Sequence, residues 1–181
     1  MKKIKLDTPA VILPLAEHAE IKEELLKLID AEEAGIPIIQ NDTLDITRCD
    51  YGASFKPRIW SDFIKPYILA HKTEVSKELG YDGFSIHNIW FQQYKEGSTH
   101  GWHIHTKCQW TNVYYVDMPE GAPKTQLVNP WNQTDIITMD VKEGDVLTFP
   151  SFVIHRAPAN AVIHPKTIVS FNSDVELDFG S

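Results

Sequence analysis

From residue 84 onward, apolar and polar residues alternate in short runs that are separated by turn-forming residues. A period of two is typical of β-strands that bury one face. In the first run, one predicted face carries Phe84, Ile86, Asn88, Trp90, Gln92 and Tyr94. Strands are predicted near 84–95, 101–107, 111–117, 125–129, 135–140, 145–149, 151–156 and 166–172. About eight short strands after a helical segment favour a mainly β protein with N-terminal helices, built as a jelly-roll barrel or double-stranded β-helix.

The residues before 84 follow a helical period instead. A short lead-in strand is predicted over 4–15 and a helix over 16–33, which Gly35 and Pro37 end. The predicted apolar stripe of this helix consists of Ile21, Leu25, Leu28 and Ile29. Residues 41–54 are polar and rich in turn formers, so they predict a loop.

A second helical region is predicted over 57–79, and Gly80 ends it. Its predicted apolar stripe consists of Ile59, Phe63, Tyr67, Leu69, Val75 and Leu79. Pro66 predicts a kink or the start of a new helix, because proline lacks the backbone donor that a helix interior requires. The simplest organisation is one domain over 1–181, with the lead-in strand and supporting helices in 1–80 and the jelly-roll core in 84–173.

Charge and cysteine usage narrow the classes of partner and compartment. The chain has 181 residues and a formal net charge of −8, which argues against a nucleic-acid backbone as the main partner. The apolar run at 10–13 is too short to cross a membrane. Cys49 and Cys108 are too few for a disulfide framework, so a reducing cytoplasm is predicted. The sequence does not indicate an oligomeric state.

The pair His103-x-His105 points most directly to chemistry. Residues two apart on a strand face the same side, so both imidazoles can bind one metal ion. His155, on a later predicted strand, can supply a third ligand. Three histidines in a small β-barrel predict a non-haem iron site. On spacing alone, the alternative stays open that the pair is a chance occurrence among eight histidines.

The last predicted strand carries candidates for binding an anion. If His155 faces the interior, Arg156 faces outward. If the last strand pairs antiparallel to the His155 strand, Lys166, Ile168 and Ser170 line the same interior. A buried lysine is costly unless it contacts an anion. The alternative is a lysine that stays solvated at the mouth of the strand.

Several motifs, in order, resemble those of the iron(II)- and 2-oxoglutarate-dependent oxygenases, in their prolyl-hydroxylase-like branch. These motifs are the spacing of Tyr94, Gly97 and His103, the strand at 113–117, the turn Gly144-Asp145 leading into 147–151, the distal His155 and the closing strand at 166–172. The resemblance covers roughly 84–173. It is strongest to a small subgroup, found in bacteria and phages, in which the pair reads H-x-H.

Two residues depart from the more common pattern of that superfamily. His105 stands where most relatives have Asp, which keeps three facial ligands but removes one negative charge from the metal. Lys166 replaces the usual Arg, so it offers a point charge without the two-pronged contact to a carboxylate. Some relatives use Lys at this position.

The resemblance implies a dioxygenase that hydroxylates a small-molecule or peptidyl substrate and releases succinate and CO₂ from 2-oxoglutarate. The implied ligands of Fe(II) are His103, His105 and His155, and the implied contacts of 2-oxoglutarate are Lys166, Tyr115, Tyr94 and Ser170. O₂ would be the oxidant and ascorbate a candidate reductant. Gln92 faces the same predicted interior.

Two other functions fit the same residues. One is a cupin-like three-histidine dioxygenase that binds its substrate directly to iron and uses no 2-oxoglutarate. The other is a catalytically silent jelly-roll that acts as a binding module. His100 is out of phase with His103 on the predicted strand, so it is expected at the surface or on the substrate side. Specificity is expected in the loops at 41–56, 96–102 and 118–135, which carry no recognisable substrate motif.

Overall fold

The computed structural model describes residues 1–2, 4, 9–33 and 44–177. Its helices are α1 (His18–Asp30) and α2 (Ile59–Leu79), and a 3₁₀ turn spans Tyr51–Ala53. The strands are β1 (Val11–Pro14), β2 (Leu44–Asp45), β3 (Arg48–Cys49), β4 (Gly83–Tyr94), β5 (Thr99–His103), β6 (Trp110–Asp117), β7 (Gln126–Val128), β8 (Ile136–Thr138), β9 (Asp145–Pro150), β10 (His155–Ala157) and β11 (Lys166–Glu176). Every strand predicted from residue 84 onward is present, with its ends displaced by a few residues at most.

The strands form two antiparallel sheets. The larger sheet has the order β1-β9-β6-β11-β4-β3, and the smaller sheet has the order β2-β5-β10-β7-β8. Most neighbours within a sheet are distant in sequence, as in a jelly-roll whose chain crosses repeatedly between two sheets. This topology confirms the predicted double-stranded β-helix with N-terminal helices.

The larger sheet is buried on both faces. Its outer face packs against α1 and α2 in an apolar cluster that includes Ile21, Leu25, Ile29, Trp60, Ile64, Ile89, Phe91, Val169 and Phe171. Its inner face packs toward the smaller sheet in a second cluster that includes Trp90, Tyr94, Val113, Tyr115, Leu127, Leu147, Phe149 and Ile168. The alternation along β4 therefore divides its residues between two cores, one structural and one that surrounds the interior of the barrel.

The two helices match the predicted positions, and the stripe of α1 is confirmed. Its predicted end at Gly35 and Pro37 lies outside the described residues. The stripe of α2 is confirmed in part: Val75 is fully buried and Phe63, Tyr67 and Leu79 pack against the apolar clusters, whereas Ile59 is 74% and Leu69 51% exposed. Trp60 is buried instead of its neighbour Ile59 and packs on Phe91 with ring centroids 5.6 Å apart. Pro66 lies inside one continuous helix, so no new helix starts there. Within the described residues, neither helix has the length and hydropathy needed to cross a membrane.

A β-bulge overturns the predicted face of Phe84 and Ile86. The pairing of β4 with β11 shifts register at His87, which is an extra residue in the ladder. An extra residue reverses the alternation beyond it. Ile86 consequently packs toward the helices and Phe84 packs on Trp110, instead of both sharing the face of Trp90.

The predicted pairing of the closing strand is also wrong. β11 lies in the larger sheet between β4 and β6, whereas β10 lies in the smaller sheet between β5 and β7. Ile168 still faces the interior, because the inner faces of the two sheets are opposed. The predicted loop at 41–54 contains β2 and β3, which extend the two sheets at their edges; residues 41–43 lie outside the described part.

Candidate metal centre

Two strands of the smaller sheet bring three histidines together. His103 ends β5 and His155 begins β10, and the two residues are direct partners in the antiparallel pair. His105 follows just beyond the end of β5, which is shorter than the predicted strand. The ligand atoms of the three side chains lie within 4.8 Å of one another. Two cis ligands with metal–nitrogen bonds of about 2.1 Å lie about 3 Å apart, so an inward movement of the rings would let all three nitrogens bind one ion and leave further positions open.

Each of the three rings is held through the same nitrogen. Nδ1 of His103 donates to the carbonyl oxygen of Gly101 at 2.7 Å, and Nδ1 of His155 donates to that of Val153 at 2.9 Å. Nδ1 of His105 donates to Oδ1 of Asn172 at 2.6 Å. An oxygen acceptor requires a proton on Nδ1, which leaves the lone pair of Nε2 free. Such partners fix the tautomer of a metal-binding histidine.

Burial keeps the three imidazoles neutral. It lowers the pKa of His103 to about 4 and that of His155 to about 2, and neighbouring imidazoles add to both shifts. It also lowers the pKa of His105, against the opposing effect of the hydrogen bond to Asn172. Because the neutral ring is the form that binds a metal, the donor set is available at neutral pH.

His100 joins this cluster, although the alternation predicted it out of phase with His103. β5 carries a bulge opposite β10: His103 pairs with His155, but the next paired position joins His100 to Ala157. The extra residue turns His100 onto the face of His103, and their rings stack. His100 therefore lies beside the cluster, where it lines a cavity.

Ser170 reaches the cluster only through Gln92. Its Oγ donates to Oε1 of Gln92 at 3.2 Å, and Nε2 of Gln92 donates to Nδ1 of His100 at 3.3 Å. Since an amide nitrogen only donates, His100 carries its proton on Nε2. A direct contact between Ser170 and a co-substrate stays a prediction.

Lys166 is buried, with no carboxylate contact among the described residues. It is 1% exposed, and its Nζ donates to the carbonyl oxygen of Pro123 at 3.0 Å. Burial lowers the pKa of Lys166 to about 8. The alternative of a solvated lysine is therefore wrong, and an ammonium buried in this way is suited to receive a carboxylate.

The two candidate tyrosines lie on the two strands that neighbour β11, and both belong to the cluster that surrounds the barrel interior. Tyr94 is the direct partner of Lys166 on β4, and Nζ of Lys166 lies 5.1 Å from the centroid of the Tyr94 ring. Tyr115 is fully buried and donates its hydroxyl proton to Oγ1 of Thr125 at 2.6 Å. Burial raises the pKa of both phenols, so they stay protonated and can serve as hydrogen-bond donors.

A cavity of about 630 Å³ opens beside the three-histidine cluster. Its lining includes Ile46, Tyr51, Trp90, Gln92, His100, His103, His105 and Asn172. The ring of Trp90 lies between those of Tyr51 and His105, with centroids 5.0 Å and 5.6 Å away. The cavity therefore has an aromatic wall that leads to the histidines, and its size is that of a small-molecule site.

One wall of the cavity is anchored by a buried ion pair. Oδ2 of Asp50 accepts from Nη1 of Arg58 at 2.7 Å and from Nε1 of Trp60 at 2.9 Å, while Oδ1 accepts from the backbone N–H of Phe91 at 2.9 Å. These contacts tie the segment around Tyr51 to α2 and β4. The carboxylate of Asp50 is thereby committed to structure, although the residue lines the cavity.

The sequence analysis missed Asn172, and it placed His100 out of phase with His103 while leaving open whether it lies at the surface or on the substrate side. Asn172 shares the period-two face of Lys166, Ile168 and Ser170 on β11, and that alternation is a signal from which its position follows. For His100 the sequence carries no comparable signal, because its side of β5 depends on a bulge that is set by pairing with β10.

Comparison with known proteins gives a relationship at the level of the fold. No family model matches the sequence, and no curated protein is similar to it. A 2OG-Fe(II) oxygenase-family oxidoreductase from Burkholderia pseudomallei has a TM-score of 0.67 and 11% identity, covering 91% of this chain and 84% of that one. A prolyl-4-hydroxylase from Pseudomonas putida has a TM-score of 0.63 and 10% identity, covering 94% of each chain.

A third solved structure is the viral collagen prolyl hydroxylase of Paramecium Bursaria Chlorella virus-1 in complex with 2-oxoglutarate. It has a TM-score of 0.60 and 14% identity, covering 91% of this chain and 94% of that one. The chain thus has the fold of the 2-oxoglutarate and Fe(II) oxygenases, and the resemblance predicted from its motifs is confirmed at the level of the fold.

Proposed function

We propose that this chain is a non-haem Fe(II)- and 2-oxoglutarate-dependent dioxygenase that hydroxylates a small-molecule or peptidyl substrate. The observation that carries the proposal is the convergence of three neutral imidazoles, each with Nδ1 bound to an oxygen acceptor and Nε2 free. The fold supports it, since the similar solved structures are oxygenases and prolyl hydroxylases. A facial set of protein ligands with open positions is suited to Fe(II).

His103, His105 and His155 would hold the iron. When bound, iron and 2-oxoglutarate supply the activation of O₂ that hydroxylates a C–H bond, while 2-oxoglutarate becomes succinate and CO₂. Lys166 would bind the far carboxylate of 2-oxoglutarate, and the hydroxyl of Tyr115 would donate to the same group in place of Thr125. Ascorbate would serve as reductant.

The buried ammonium of Lys166 favours 2-oxoglutarate over a substrate that binds iron directly without a co-substrate. A lysine that is 1% exposed and has a neutral backbone acceptor loses most of its hydration without an anion in return. A carboxylate within hydrogen-bonding distance would compensate the lost hydration with a charge-assisted hydrogen bond. The cupin-like alternative assigns no such partner to Lys166.

The substrate would occupy the cavity beside the histidines. Trp90 and Tyr51 offer an apolar wall, while Gln92 and His100 offer polar contacts near the metal ligands. A volume of about 630 Å³ suits a small molecule or one side chain of a peptide with its flanking backbone.

The decisive experiment measures turnover of 2-oxoglutarate by the purified protein. Protein loaded anaerobically with Fe(II) is given 2-oxoglutarate, ascorbate and O₂, and succinate is followed by NMR. We expect slow succinate release without a prime substrate, and its loss in His103→Ala but not in His164→Ala, which changes an exposed histidine away from the cluster. Absence of both keto-acid binding and succinate in the wild-type protein would overturn the proposal.

A further inference from the structure

We propose that Asn172 is a positioning residue of the metal centre. Its amide oxygen sets the orientation and the tautomer of His105 and adds no charge beside the three histidines. This role depends on the metal centre proposed above and adds to it a residue that lies on the opposite sheet.

His105 differs from the other two histidines in the group that accepts the hydrogen bond from its Nδ1. Nδ1 of His103 and Nδ1 of His155 each donate to a backbone carbonyl two residues earlier in the same segment. His105 lies beyond the end of β5, and its Nδ1 donates instead to a side chain, Oδ1 of Asn172, at 2.6 Å. The position of His105 therefore depends on a contact between the two sheets.

Asn172 is well placed to supply a rigid acceptor. It lies on β11, where it pairs with Asn88 on β4 and with Thr111 on β6. The residue is 7% exposed. A largely buried side chain on a central strand has few rotamers open to it, so the acceptor oxygen is held in place.

The chemical type of the acceptor matters as well as its position. The described three-histidine cluster contains no carboxylate, and the amide of Asn172 adds no charge to it. A carboxylate at this position would give the ring of His105 a stronger acceptor and would offset part of the charge of a bound cation. The neutral amide instead leaves a divalent ion with its full attraction for an anionic ligand such as a keto acid.

The test uses Co(II) as the probe metal and compares the wild-type protein with Asn172→Leu and Asn172→Asp. Loss of the acceptor in Asn172→Leu is expected to weaken Co(II) binding about 10- to 100-fold, the usual effect of removing the partner of a metal-binding histidine. Asn172→Asp keeps an acceptor, so it is expected to bind Co(II) at least as tightly as the wild-type protein. Its Co(II) form is expected to bind azide several-fold more weakly.

The matched control is Gln93→Leu, which removes a buried amide of the same sheet that contacts Arg48, Asp30 and Thr167 and none of the three histidines. It is expected to leave Co(II) affinity within about 2-fold, because distant sites contribute independently. Failure of the wild-type protein to bind Co(II) would overturn the metal centre itself. Wild-type binding together with unchanged affinity in Asn172→Leu would overturn only the role of Asn172. Failure of Asn172→Asp to recover affinity would do the same, because the loss would then come from packing.

A direct measurement covers the case in which a variant does not fold. Nitrogen-15 NMR of the metal-free wild-type protein reports which ring nitrogen of His105 carries the proton. The hydrogen bond to Asn172 predicts the Nδ1–H tautomer. Observation of the Nε2–H tautomer would overturn the proposal without any variant.

Discussion

The imidazole of His100 lies parallel to that of His103, with ring centroids 3.7 Å apart and ring planes 10° apart. His100 is not one of the three clustered ligands, yet it covers one face of a ring that is. The bulge in β5 creates this stack by turning His100 to the side of His103. An aromatic neighbour in van der Waals contact restricts the tilt of the His103 ring, which is proposed to bind the metal.

Removal of the stack is expected to loosen His103. Stacked rings contribute about 0.5–1.5 kcal/mol beyond the area that they bury, so His100→Ala is expected to weaken Co(II) binding about 2- to 10-fold. His100→Phe keeps an aromatic ring and is expected to retain most of the affinity. Titration of Co(II) by visible absorption measures both. Equal weakening in the two variants would show that the imidazole nitrogens, and not the stack, carry the effect.

Lys166→Ala is expected to weaken 2-oxoglutarate binding about 10- to 100-fold while the affinity for the metal is unchanged. The expectation follows from the loss of a charge-assisted hydrogen bond in a buried site. Calorimetric titration of the Zn(II)-loaded protein with 2-oxoglutarate measures it. Lys124→Ala is the control, because Lys124 adjoins Pro123 in sequence but pairs with Asp140 at the surface. Unchanged affinity in Lys166→Ala would favour the cupin-like function.

The local periodicity of the sequence predicted the elements well. Three correct predictions depend on spacing within a few residues. They are the strands after residue 84, the buried stripe of α1 at Ile21, Leu25 and Ile29, and the position of His103 and His105 on the same side of the chain. Such spacing is written directly in the chain, since it reflects which side chains a single element can bury.

Pairing between distant segments was not predictable in the same way. The extra residue at His87 reverses the alternation of β4, and the bulge in β5 moves His100 to the inner face. Both shifts arise from the register of a partner strand that lies far away in sequence. For the same reason, β11 was assigned to the wrong neighbour; the burial of Lys166 agrees with one of the two alternatives that the sequence left open.

The buried pair of Asp50 and Arg58 is expected to be necessary for stability. Their side chains are 3% and 5% exposed, so Asp50→Asn leaves the guanidinium of Arg58 without a counter-charge. Breaking one side of a buried pair costs about 3–5 kcal/mol of unfolding free energy, whereas an exposed pair such as Lys77 with Glu74 contributes less than about 1 kcal/mol. Urea denaturation of Asp50→Asn beside Glu74→Gln measures the contrast. Similar small effects in both would show that water reaches Arg58.

His71 is expected to make the protein less stable in acid. The residue is 6% exposed, and burial, with a smaller effect from the charge of Lys72, lowers the pKa of His71 to about 4. Its pKa in the unfolded chain is about 6.5, so between these values the unfolded chain binds more protons than the folded protein. The stability that His71 contributes is therefore present above pH 6.5 and is lost as the pH falls toward 4, by about 3 kcal/mol in total.

His71→Leu removes this proton-binding site, and urea denaturation from pH 8 to pH 5 tests its contribution. Other buried histidines also take up protons in this range when the chain unfolds, and they do so in both proteins. The contribution of His71 is therefore read from the difference in unfolding free energy between the variant and the wild-type protein. That difference is expected to move in favour of the variant by about 2 kcal/mol between pH 8 and pH 5, because the unfolded wild-type chain takes up a proton near pH 6.5 that the folded protein does not bind. His164→Leu, at an exposed position, is expected to show a much smaller change. A difference for His71→Leu that stays constant across this range would show that the imidazole of His71 is solvated in the folded protein.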